Sequence, residues 1–401
     1  MDALLYLAHR IPFPPNKGDK IRSYHFLKGL AKHFDVYLAA FIDDPNDWQY
    51  VSNLKEICRD CFFAPINPSK AKIGSLVGLA TGEALSLPYY RNAAMSRWVD
   101  RTLVERNVRH VFAFSSPMAQ YVMGSKHANL RRVMDFVDAD SDKWLQYSKA
   151  KSWPASWVYR REGERLLQFE RQVATEFDAS MFVSEKEADL FRGLAPDVAG
   201  RVIGINNGVD TEYFSPGTHA NPFPSGVKPI VFTGAMDYWA NVDAVSWFAT
   251  EVLPKVRERL ANAVFYIVGS KPTKAVLDLA GLPGVVVTGS VPDVRPYLAH
   301  SAVVVAPLRI ARGIQNKVLE AMAMARPTVV TPQALEGIEA VVGEELFLAE
   351  APSELARVVG DVLSGAVASG VGARARARVV ADFSWASNLE KLAKVVAGTA
   401  N

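Results

Sequence analysis

Cysteine is nearly absent: the 401-residue chain contains only Cys58 and Cys61, in the order C-R-D-C. Two neighbouring cysteines cannot cross-link a chain of this length, so the sequence excludes a disulfide-stabilised scaffold and favours a reducing compartment. A redox cysteine pair would open a helix after a strand, whereas Cys61 leads into Phe62 and Phe63, which are typical of a short strand. A four-ligand zinc site is disfavoured because there is no second cysteine pair and no paired histidine cluster.

Long apolar runs and a strong excess of one charge are also missing. No run approaches the ~20 apolar residues that cross a bilayer, and no basic stretch precedes an apolar one at the N-terminus, as in a secretory signal. Together with the shortage of cysteine, this predicts a cytoplasmic protein. The chain has 45 Lys and Arg against 42 Asp and Glu, a net charge of +3, which is too small to indicate a nucleic-acid partner.

One segment leaves a membrane contact open. Residues 68–90 carry Lys70 and Lys72, followed by an apolar run at 73–79. Packing as a core or lid segment is favoured, because an interfacial helix usually carries more basic residues. The second interpretation is peripheral contact with the inner face of the membrane.

The G-x-G-x-x-G fingerprint of NAD-binding Rossmann domains is absent too. The chain nevertheless opens as a βαβ unit: an apolar run at 3–8, a proline-rich loop containing Gly18, a predicted helix at 23–32 and a second apolar run at 36–41. Unbroken apolar runs are typical of parallel strands that are covered on both faces. Arg22, which immediately precedes the predicted helix, can face water.

The same alternation of apolar runs and helical patterns continues to the end of the chain. With 401 residues, this predicts two doubly wound α/β domains, and a cleft between domains is a common ligand site. The Pro-, Gly- and Ser-rich stretch at 216–229 is predicted to be the interdomain linker. Residues 153–176 are predicted to form a long exposed helix with surface charge pairs, such as Glu162 with Arg165.

Polar residues follow two predicted strands of the first half. Ser115 comes after the strand at 110–114, and Asp138 and Asp140 come after the strand at 132–137. The carboxyl ends of parallel strands share one edge of the sheet, where ligands bind. Either aspartate could accept a proton from a substrate hydroxyl group or could cap the next helix, and the sequence leaves both interpretations open.

The most informative stretch of the chain runs from 302 to 331. It predicts a buried strand at 302–306, a polar loop, a helix at 316–325 and a second buried strand at 328–330. The turn after such a strand is where open α/β sheets bind ligands. Amide groups at a helix start and nearby cations together suit a ligand that carries phosphate. The polar residues of this turn and helix are Arg309, Arg312, Gly313, Gln315, Asn316, Lys317 and Glu320.

Several segments together resemble the retaining GT-B glycosyltransferases of family 4. The sequence NGVDTEYFSP at 207–216 resembles a family element, and VLEAMA at 318–323 is similar to its nucleotide-sugar helix. Gly269, Gly289 and the FSW of 383–385 match other family positions. More narrowly, the segments PFPPNKGDKIRS, DFVDADSDKW and PLRIARGIQNKVLEAMAMARP resemble the sugar transferases of PEP-CTERM/exosortase exopolysaccharide loci.

The resemblance implies an α/β GT-B fold, with two Rossmann-like doubly wound domains facing a central cleft. Residues 1–208 would form the acceptor domain, with a helix at 384–401 packing back onto it, and residues 209–383 the nucleotide-sugar domain. The implied enzyme is a hexosyltransferase that moves a sugar, with retention, from a nucleotide-sugar donor to a lipid-linked or oligosaccharide acceptor. It would act in exopolysaccharide biosynthesis, with no cofactor and no metal.

The resemblance also implies roles for individual residues. Glu320 matches the glutamate that binds the donor ribose hydroxyls, and a carboxylate can accept both hydrogen bonds. The family's other glutamate lies eight positions earlier, where this chain has Arg312, and its basic pair is missing after the first strand of the second domain. We therefore hypothesise that the leaving diphosphate is neutralised instead by the cations of this turn and helix start, Arg309, Arg312 and Lys317. The predicted catalytic residues are Lys317, Arg312 and Asp138, and the predicted donor-binding residues are Gly18, Gly234, Arg309, Gly313, Asn316 and Glu320.

Two other functions remain open at this point. Arg312, in place of a glutamate, is compatible with a nucleotide-sugar-binding protein that has no turnover. The same fold also occurs in GT-B-like nucleotide-sugar epimerases. The NGVD-type element and the closing helix favour the transferase.

Overall fold

The computed structural model describes residues 1–15, 18–149, 152–311, 313–367 and 369–399. They divide into two compact units. The first unit consists of Met1–Asn207 together with Asn388–Asn401, and the second is Gly208–Ser387. Within the described residues, no helix is both long and apolar enough to cross a membrane.

The first unit is built on a seven-stranded parallel sheet in the order β3-β2-β1-β4-β5-β6-β7. The third strand in this order, β1, pairs on both sides, since Leu5 lies opposite Tyr37 on one neighbour and opposite Val111 on the other. Leu4 to Ala8 are all fully buried, so both faces of this strand are covered, which explains why it is an unbroken apolar run. The strands are β1 Asp2–Ala8, β2 Phe34–Ile42, β3 Asp60–Pro65, β4 His110–Phe114, β5 Arg131–Val137, β6 Ala179–Phe182 and β7 Val202–Gly204.

In the described part of the first unit, nine α-helices and four short 3₁₀ segments accompany this sheet before the chain enters the second unit. Short 3₁₀ segments lie at Pro45–Tyr50, Ser116–Tyr121, Ser125–His127 and Pro196–Arg201. The α-helices are α1 Gly18–Leu30, α2 Val51–Lys55, α3 Pro68–Ser75, α4 Val77–Thr81, α5 Ser86–Tyr89, α6 Ala93–Glu105, α7 Asp140–Lys149, α8 Ala155–Glu176 and α9 Glu185–Leu194.

The prediction that Arg22 faces water is wrong, because its side chain is fully buried. Its guanidinium group makes two hydrogen bonds to Asp135 on β5, at 2.7 and 3.1 Å. It also donates to the carbonyl of Ile205 and to the side chain of Asn207, at 2.7 and 3.0 Å. A buried arginine is tolerated when its charge is paired and its donors are matched in this way.

The predicted exposed pair of Glu162 and Arg165 is wrong for a similar reason. Glu162 is buried, and its carboxylate accepts hydrogen bonds from the backbone amides of Leu85 and Ser86, at 2.6 and 3.1 Å. It therefore provides hydrogen-bond acceptors for amides at the start of α5, which have no acceptor within the helix.

The second unit contains a six-stranded parallel sheet in the order β10-β9-β8-β11-β12-β13. Its strands are β8 Lys228–Thr233, β9 Ala263–Val268, β10 Val285–Gly289, β11 Val303–Ala306, β12 Thr328–Val330 and β13 Phe347–Leu348. Its helices are α10 Trp239–Trp247, a π-helical turn Phe248–Val252, α11 Leu253–Arg259, α12 Lys274–Asp278, a 3₁₀ turn Leu279–Gly281, α13 Arg295–His300, α14 Asn316–Ala323, α15 Pro332–Leu335, α16 Pro352–Ser364 and α17 Val371–Asp382.

The stretch at 216–229 is not an interdomain linker. It lies wholly inside the second unit, which begins at Gly208. Phe223, in the middle of the stretch, is buried against Tyr266 and Tyr297, with ring centroids 4.6 and 5.8 Å apart. Its Pro and Gly content reflects an irregular but packed segment, which composition alone cannot distinguish from a linker.

The last helix, α18 Trp385–Ala397, returns the chain to the first unit. The side chain of Asn388 donates to the carbonyl of Asn206 at 2.9 Å. Arg131 donates to the carbonyls of Val395 and Val396 at the other end of this segment. Residues 388–399 are therefore held at both ends by the first unit.

Candidate functional site

A cavity of about 510 Å³ opens at the carboxyl ends of the second sheet's strands. From β8 the chain continues to β9 and β10 on one side, and from β11 to β12 and β13 on the other. Ligands of open α/β sheets bind where the strand order reverses in this way. The lining residues are Thr233, Gly234, Ala235, Asn241, Val268, Gly269, Ser270, Ser290, Val291, Val294, Ile314, Gln315, Asn316, Lys317 and Glu320.

Two glycines allow the loops of this cavity to lie close together. A Cβ atom on Gly269 would lie 1.6 Å from the carbonyl oxygen of Gly234. A Cβ atom on Gly234 would lie 2.7 Å from the side-chain nitrogen of Asn241. Only glycine allows this approach, so the wall of the cavity here is bare backbone.

Lys317, in the first turn of α14, supplies a cation to the cavity. Its Nζ donates to the side-chain oxygen of Asn241 at 2.5 Å and lies 4.5 Å from the centroid of the Phe232 ring. Burial lowers the pKa of Lys317 to about 8, although the charge of Glu320 opposes this effect. An anion bound beside Lys317 would favour the charged form of the amine.

Glu320 lies one turn further along the same helix. Burial raises the pKa of Glu320 to about 7, and the charge of Lys317 opposes the rise. Within the described residues, no group donates a hydrogen bond to its carboxylate. The hydroxyl group of Thr233 is buried and also lacks a hydrogen-bond partner among the described residues. Polar atoms left unpaired at a cavity wall are available to a polar ligand.

The start of α14 adds a partial positive charge. The helix begins at Asn316, and within the described residues the side chain of Gln315, at the capping position, makes no capping hydrogen bond to its first turn. The first amides of a helix have no partner within the helix and carry its positive dipole end. Since Asn316 and Lys317 line the cavity, this end of the helix suits a phosphate group.

The structure brings together four of the predicted site residues, Gly234, Asn316, Lys317 and Glu320, around this cavity. Gly313 lies just before the lining residue Ile314 and has a positive φ of 65°. Arg312 lies outside the described residues.

The side chain of Arg309 makes its contacts outside this cavity. Its guanidinium group makes an ion pair with Asp243 on α10 and lies 5.4 Å from the centroid of the Trp247 ring. Arg309 does not line the cavity. To neutralise the leaving diphosphate, Arg309 would have to break its ion pair with Asp243 and form one with the ligand instead.

Gly18 and Asp138 lie in the first unit. Gly18 is the exposed first residue of α1. The carboxylate of Asp138 accepts a hydrogen bond from Lys143 at 2.5 Å. Asp140 is the first residue of α7, so these two aspartates occupy the strand end and the helix start that the sequence indicates.

Sequence reasoning missed the polar residues that face Lys317 and Glu320. Asn241 accepts from Lys317 and donates to the carbonyl of Ala235 at 2.8 Å. Its partner Lys317 is 76 positions away, so no local spacing reveals the pair. Ser270 and Ser290, which follow β9 and β10, could have been found from their positions at strand ends.

Comparison with known proteins gives one family match. Residues 227–365 match the family described as "Glycosyl transferases group 1". These residues include all six strands of the second sheet and the whole 302–331 stretch. No curated protein matches the sequence.

The overall structure is similar to several solved structures. A glycosyltransferase from Rickettsia africae superposes with a TM-score of 0.65 at 13% identity, covering 100% of this chain and 99% of that one. Sucrose-phosphate synthase from Thermosynechococcus elongatus gives 0.68 at 16% identity and covers 99% of both chains. The Anabaena protein HepE in complex with UDP gives 0.63 at 15% identity, covering 99% of this chain and 100% of that one. These likenesses confirm the predicted GT-B fold, with two Rossmann-like parallel-sheet units.

Proposed function

We propose that this protein transfers a sugar that it takes from a nucleotide-sugar donor bound in the cavity of the second unit. Its group 1 segment and its GT-B fold support its assignment as a glycosyltransferase. The observation that carries the proposal is the joint position of Lys317, Glu320 and the start of α14 at one cavity. These groups offer a cation, an anion and unpaired amides within two turns of one helix. A nucleoside diphosphate needs such a combination, since it carries both phosphates and ribose hydroxyls.

In this proposal each group has one task. The carboxylate of Glu320 accepts hydrogen bonds from the two ribose hydroxyls. Lys317 and the first amides of α14 bind the diphosphate. When the bond between the sugar and the diphosphate breaks, its electron pair leaves with the diphosphate, and the same cation and amides stabilise the growing charge. No metal is part of this scheme.

UDP is the nucleotide that we propose first. The HepE structures contain UDP, UDP with glucose, or UDP-glucose, and their fold is shared. Membership of family 4, retention at the anomeric carbon and a lipid-linked or oligosaccharide acceptor in exopolysaccharide biosynthesis rest on the sequence resemblance. The roles predicted for Gly18, Arg309, Arg312, Gly313 and Asp138 stay predictions.

The proposal is tested by titrating UDP into the protein while following its thermal unfolding. At a concentration of about 100 times Kd, UDP should stabilise the protein by about 2.7 kcal/mol. Lys317→Met should weaken this stabilisation and should lower UDP release from UDP-glucose by about 10²–10³-fold. Lys274→Met is the matched control, because Lys274 is a lysine of the same unit that is 90% exposed.

The outcomes separate the alternatives. Wild-type transfer rates in Lys317→Met would contradict the assigned role of Lys317. Tight UDP binding without release of UDP from any nucleotide sugar would favour a binding protein without turnover.

A further inference from the structure

The cavity of the second unit contains a cation whose hydrogen-bond partner is a neutral side chain. Among the described residues that line the cavity, Lys317 and Glu320 are those with charged side chains. Lys317 makes no ion pair within the described part of the chain, and its Nζ donates instead to the side-chain oxygen of Asn241 at 2.5 Å. Asn241 is therefore the hydrogen-bond acceptor that fixes this cation.

Asn241 can hold Lys317 in only one orientation of its amide group. The amide nitrogen donates to the carbonyl of Ala235 at 2.8 Å, and the backbone N–H of Asn241 donates to the carbonyl of Tyr238 at 2.9 Å. A carbonyl oxygen can only accept and an ammonium group can only donate, so a flipped amide would lose both side-chain hydrogen bonds. Asn241 is buried, and Gly234 makes room for it, since a Cβ atom there would lie 2.7 Å from the amide nitrogen.

Asp243, two positions further along α10, shows the other way to support a cation. Its carboxylate forms an ion pair with Arg309, and neither residue lines the cavity. A carboxylate cancels the charge that it supports, whereas an amide oxygen accepts from an ammonium group and leaves the net charge unchanged. A buried charge with only neutral hydrogen-bond partners is costly, so its presence at an open cavity points to an anion as the ligand.

We propose that Asn241 is a positioning residue for Lys317: it holds the ammonium group at the cavity wall and keeps its positive charge available to a diphosphate. This inference rests on the proposed function, in which Lys317 binds the diphosphate of the donor. The partner has to be neutral, because a carboxylate at position 241 would compete with the diphosphate for the same cation.

The other charged groups of these elements have partners of their own or lie at the cavity. Asp237, on the loop after β8, lies 3.8 Å from Lys271, and Asp243 on α10 is paired with Arg309. Glu320 is the other titratable group that lines the cavity. The variants below leave all of these groups in place, so a change in the titration of Lys317 reports on position 241.

Asn241→Asp tests the need for a neutral partner, because it keeps the shape of the side chain and adds a negative charge. At about pH 7.5, UDP should bind at least about tenfold more weakly, since two anions then compete for one ammonium group. The decline in UDP affinity at high pH, where Lys317 loses its proton, should move upwards by about 1–3 pH units, because an adjacent carboxylate stabilises the charged amine. Isothermal titration calorimetry from about pH 7 to about pH 10 measures both effects.

Asn241→Leu should move the same decline in the opposite direction. It removes the oxygen that accepts from the ammonium group, so Lys317 loses its proton at a lower pH. Damage to packing alone would weaken UDP binding at every pH without moving the decline. The matched control is Asn221→Asp, which adds the same charge to the same unit outside the cavity lining and keeps the oxygen that accepts from the amide of Phe223. Its UDP profile should be that of the wild type.

Acetylation of Lys317 follows its titration in the absence of UDP. Acetic anhydride reacts with the uncharged amine and not with the ammonium group. The extent of acetylation of Lys317 across a pH series, read by peptide mass spectrometry, therefore gives the pH at which the proton is lost. This pH should rise in the order Asn241→Leu, wild type, Asn241→Asp.

The two measurements separate failure of this inference from failure of the proposed function. Equal acetylation profiles in the three proteins would overturn the inference. So would an Asn241→Asp variant that binds UDP more weakly but whose decline at high pH has not moved. Acetylation profiles that shift as expected, together with wild-type UDP affinity in Asn241→Asp, would instead refute the proposed function, because Lys317 would then not be the group that binds the diphosphate.

Discussion

At the scale of single residues, the cavity of the second unit is lined by two groups whose pKa values lie close to neutral pH. Burial raises the pKa of Glu320 to about 7 and lowers the pKa of Lys317 to about 8. Because the two groups interact, their titration belongs to the pair. The form that suits a nucleoside diphosphate has both groups charged, and it is most populated in the narrow interval between these values.

We therefore expect UDP affinity to be greatest between about pH 7 and pH 8. As the pH falls below this interval, Glu320 gains a proton and loses an acceptor for the ribose. As the pH rises above it, Lys317 loses its charge, and affinity should fall by up to about tenfold per pH unit. Isothermal titration calorimetry across this range measures the effect.

Single variants separate the two limbs of the profile. Glu320→Gln should remove the acidic limb. Lys317→Arg should remove the basic limb, since an arginine stays charged throughout. A Kd that is independent of pH in the wild type would contradict the assigned roles of both groups.

A second residue-scale prediction concerns the backbone wall of the cavity. Gly269→Ala places a methyl group 1.6 Å from the carbonyl of Gly234, so the loops must separate. Overpacking of this kind costs about 1–3 kcal/mol or more, and UDP binding should be lost or greatly weakened. Gly281→Ala is the control, because within the described residues no atom beyond those of its chain neighbours lies within 4 Å of its added Cβ. Urea unfolding and UDP titration of both variants provide the comparison.

At the scale of elements, α7 and α8 are joined by a buried carboxyl group. Glu170 on α8 is fully buried and accepts hydrogen bonds from the hydroxyl and the amide of Ser141, at 2.5 and 3.4 Å. Burial raises the pKa of Glu170 to about 8, and Ser141 opposes the rise. The ordinary value is 4.5, so the folded state holds this proton more tightly than the unfolded chain does.

The pH dependence of stability follows from that difference. The contribution of protonated Glu170 is complete below about pH 4.5 and is lost as the pH rises through about 8. Glu170→Gln keeps the neutral form, so its free energy of unfolding should decline less than that of the wild type between these values, by at most ~1.4 kcal/mol per pH unit. Urea unfolding at several pH values tests this, with the exposed Glu164→Gln as control. Parallel profiles for the two variants would contradict it.

The elements also show which parts of the structure the sequence could predict. The strands at 303–306 and 328–330 were predicted almost to the residue, because strands buried on both faces produce uninterrupted apolar runs. The loop and helix that follow the first of these strands do line a cavity, and its use by a donor stays a prediction. Arg22 and Glu162 were assigned to the surface because their partners, Asp135 and Leu85, lie 113 and 77 positions away. Local patterns contain no information about such pairings.

At the scale of the whole molecule, the first unit is formed by two separate segments of the chain, Met1–Asn207 and Asn388–Asn401. Gly29 on α1 makes room for α18: a Cβ atom there would lie 2.5 Å from a methyl group of Leu389. Gly29→Ala should therefore lower the free energy of unfolding by about 1–3 kcal/mol. Gly193→Ala, in α9, should be neutral or slightly stabilising, because its added Cβ meets no other part of the described chain within 4 Å. Equal stabilities for these variants would contradict the packing role of residues 388–399.

The chain leaves the first unit at Asn207 and re-enters it at Asn388, and this has a consequence during synthesis on the ribosome. Residues 388–399 emerge only after the whole of 208–387 has been translated. Domains usually fold in the order in which they are made, but here the first unit must wait, with the surface around Gly29 and Arg131 uncovered, while the inserted unit is completed. Arrested nascent chains that stop before residue 388 should therefore bury the second unit before the first is resistant to protease.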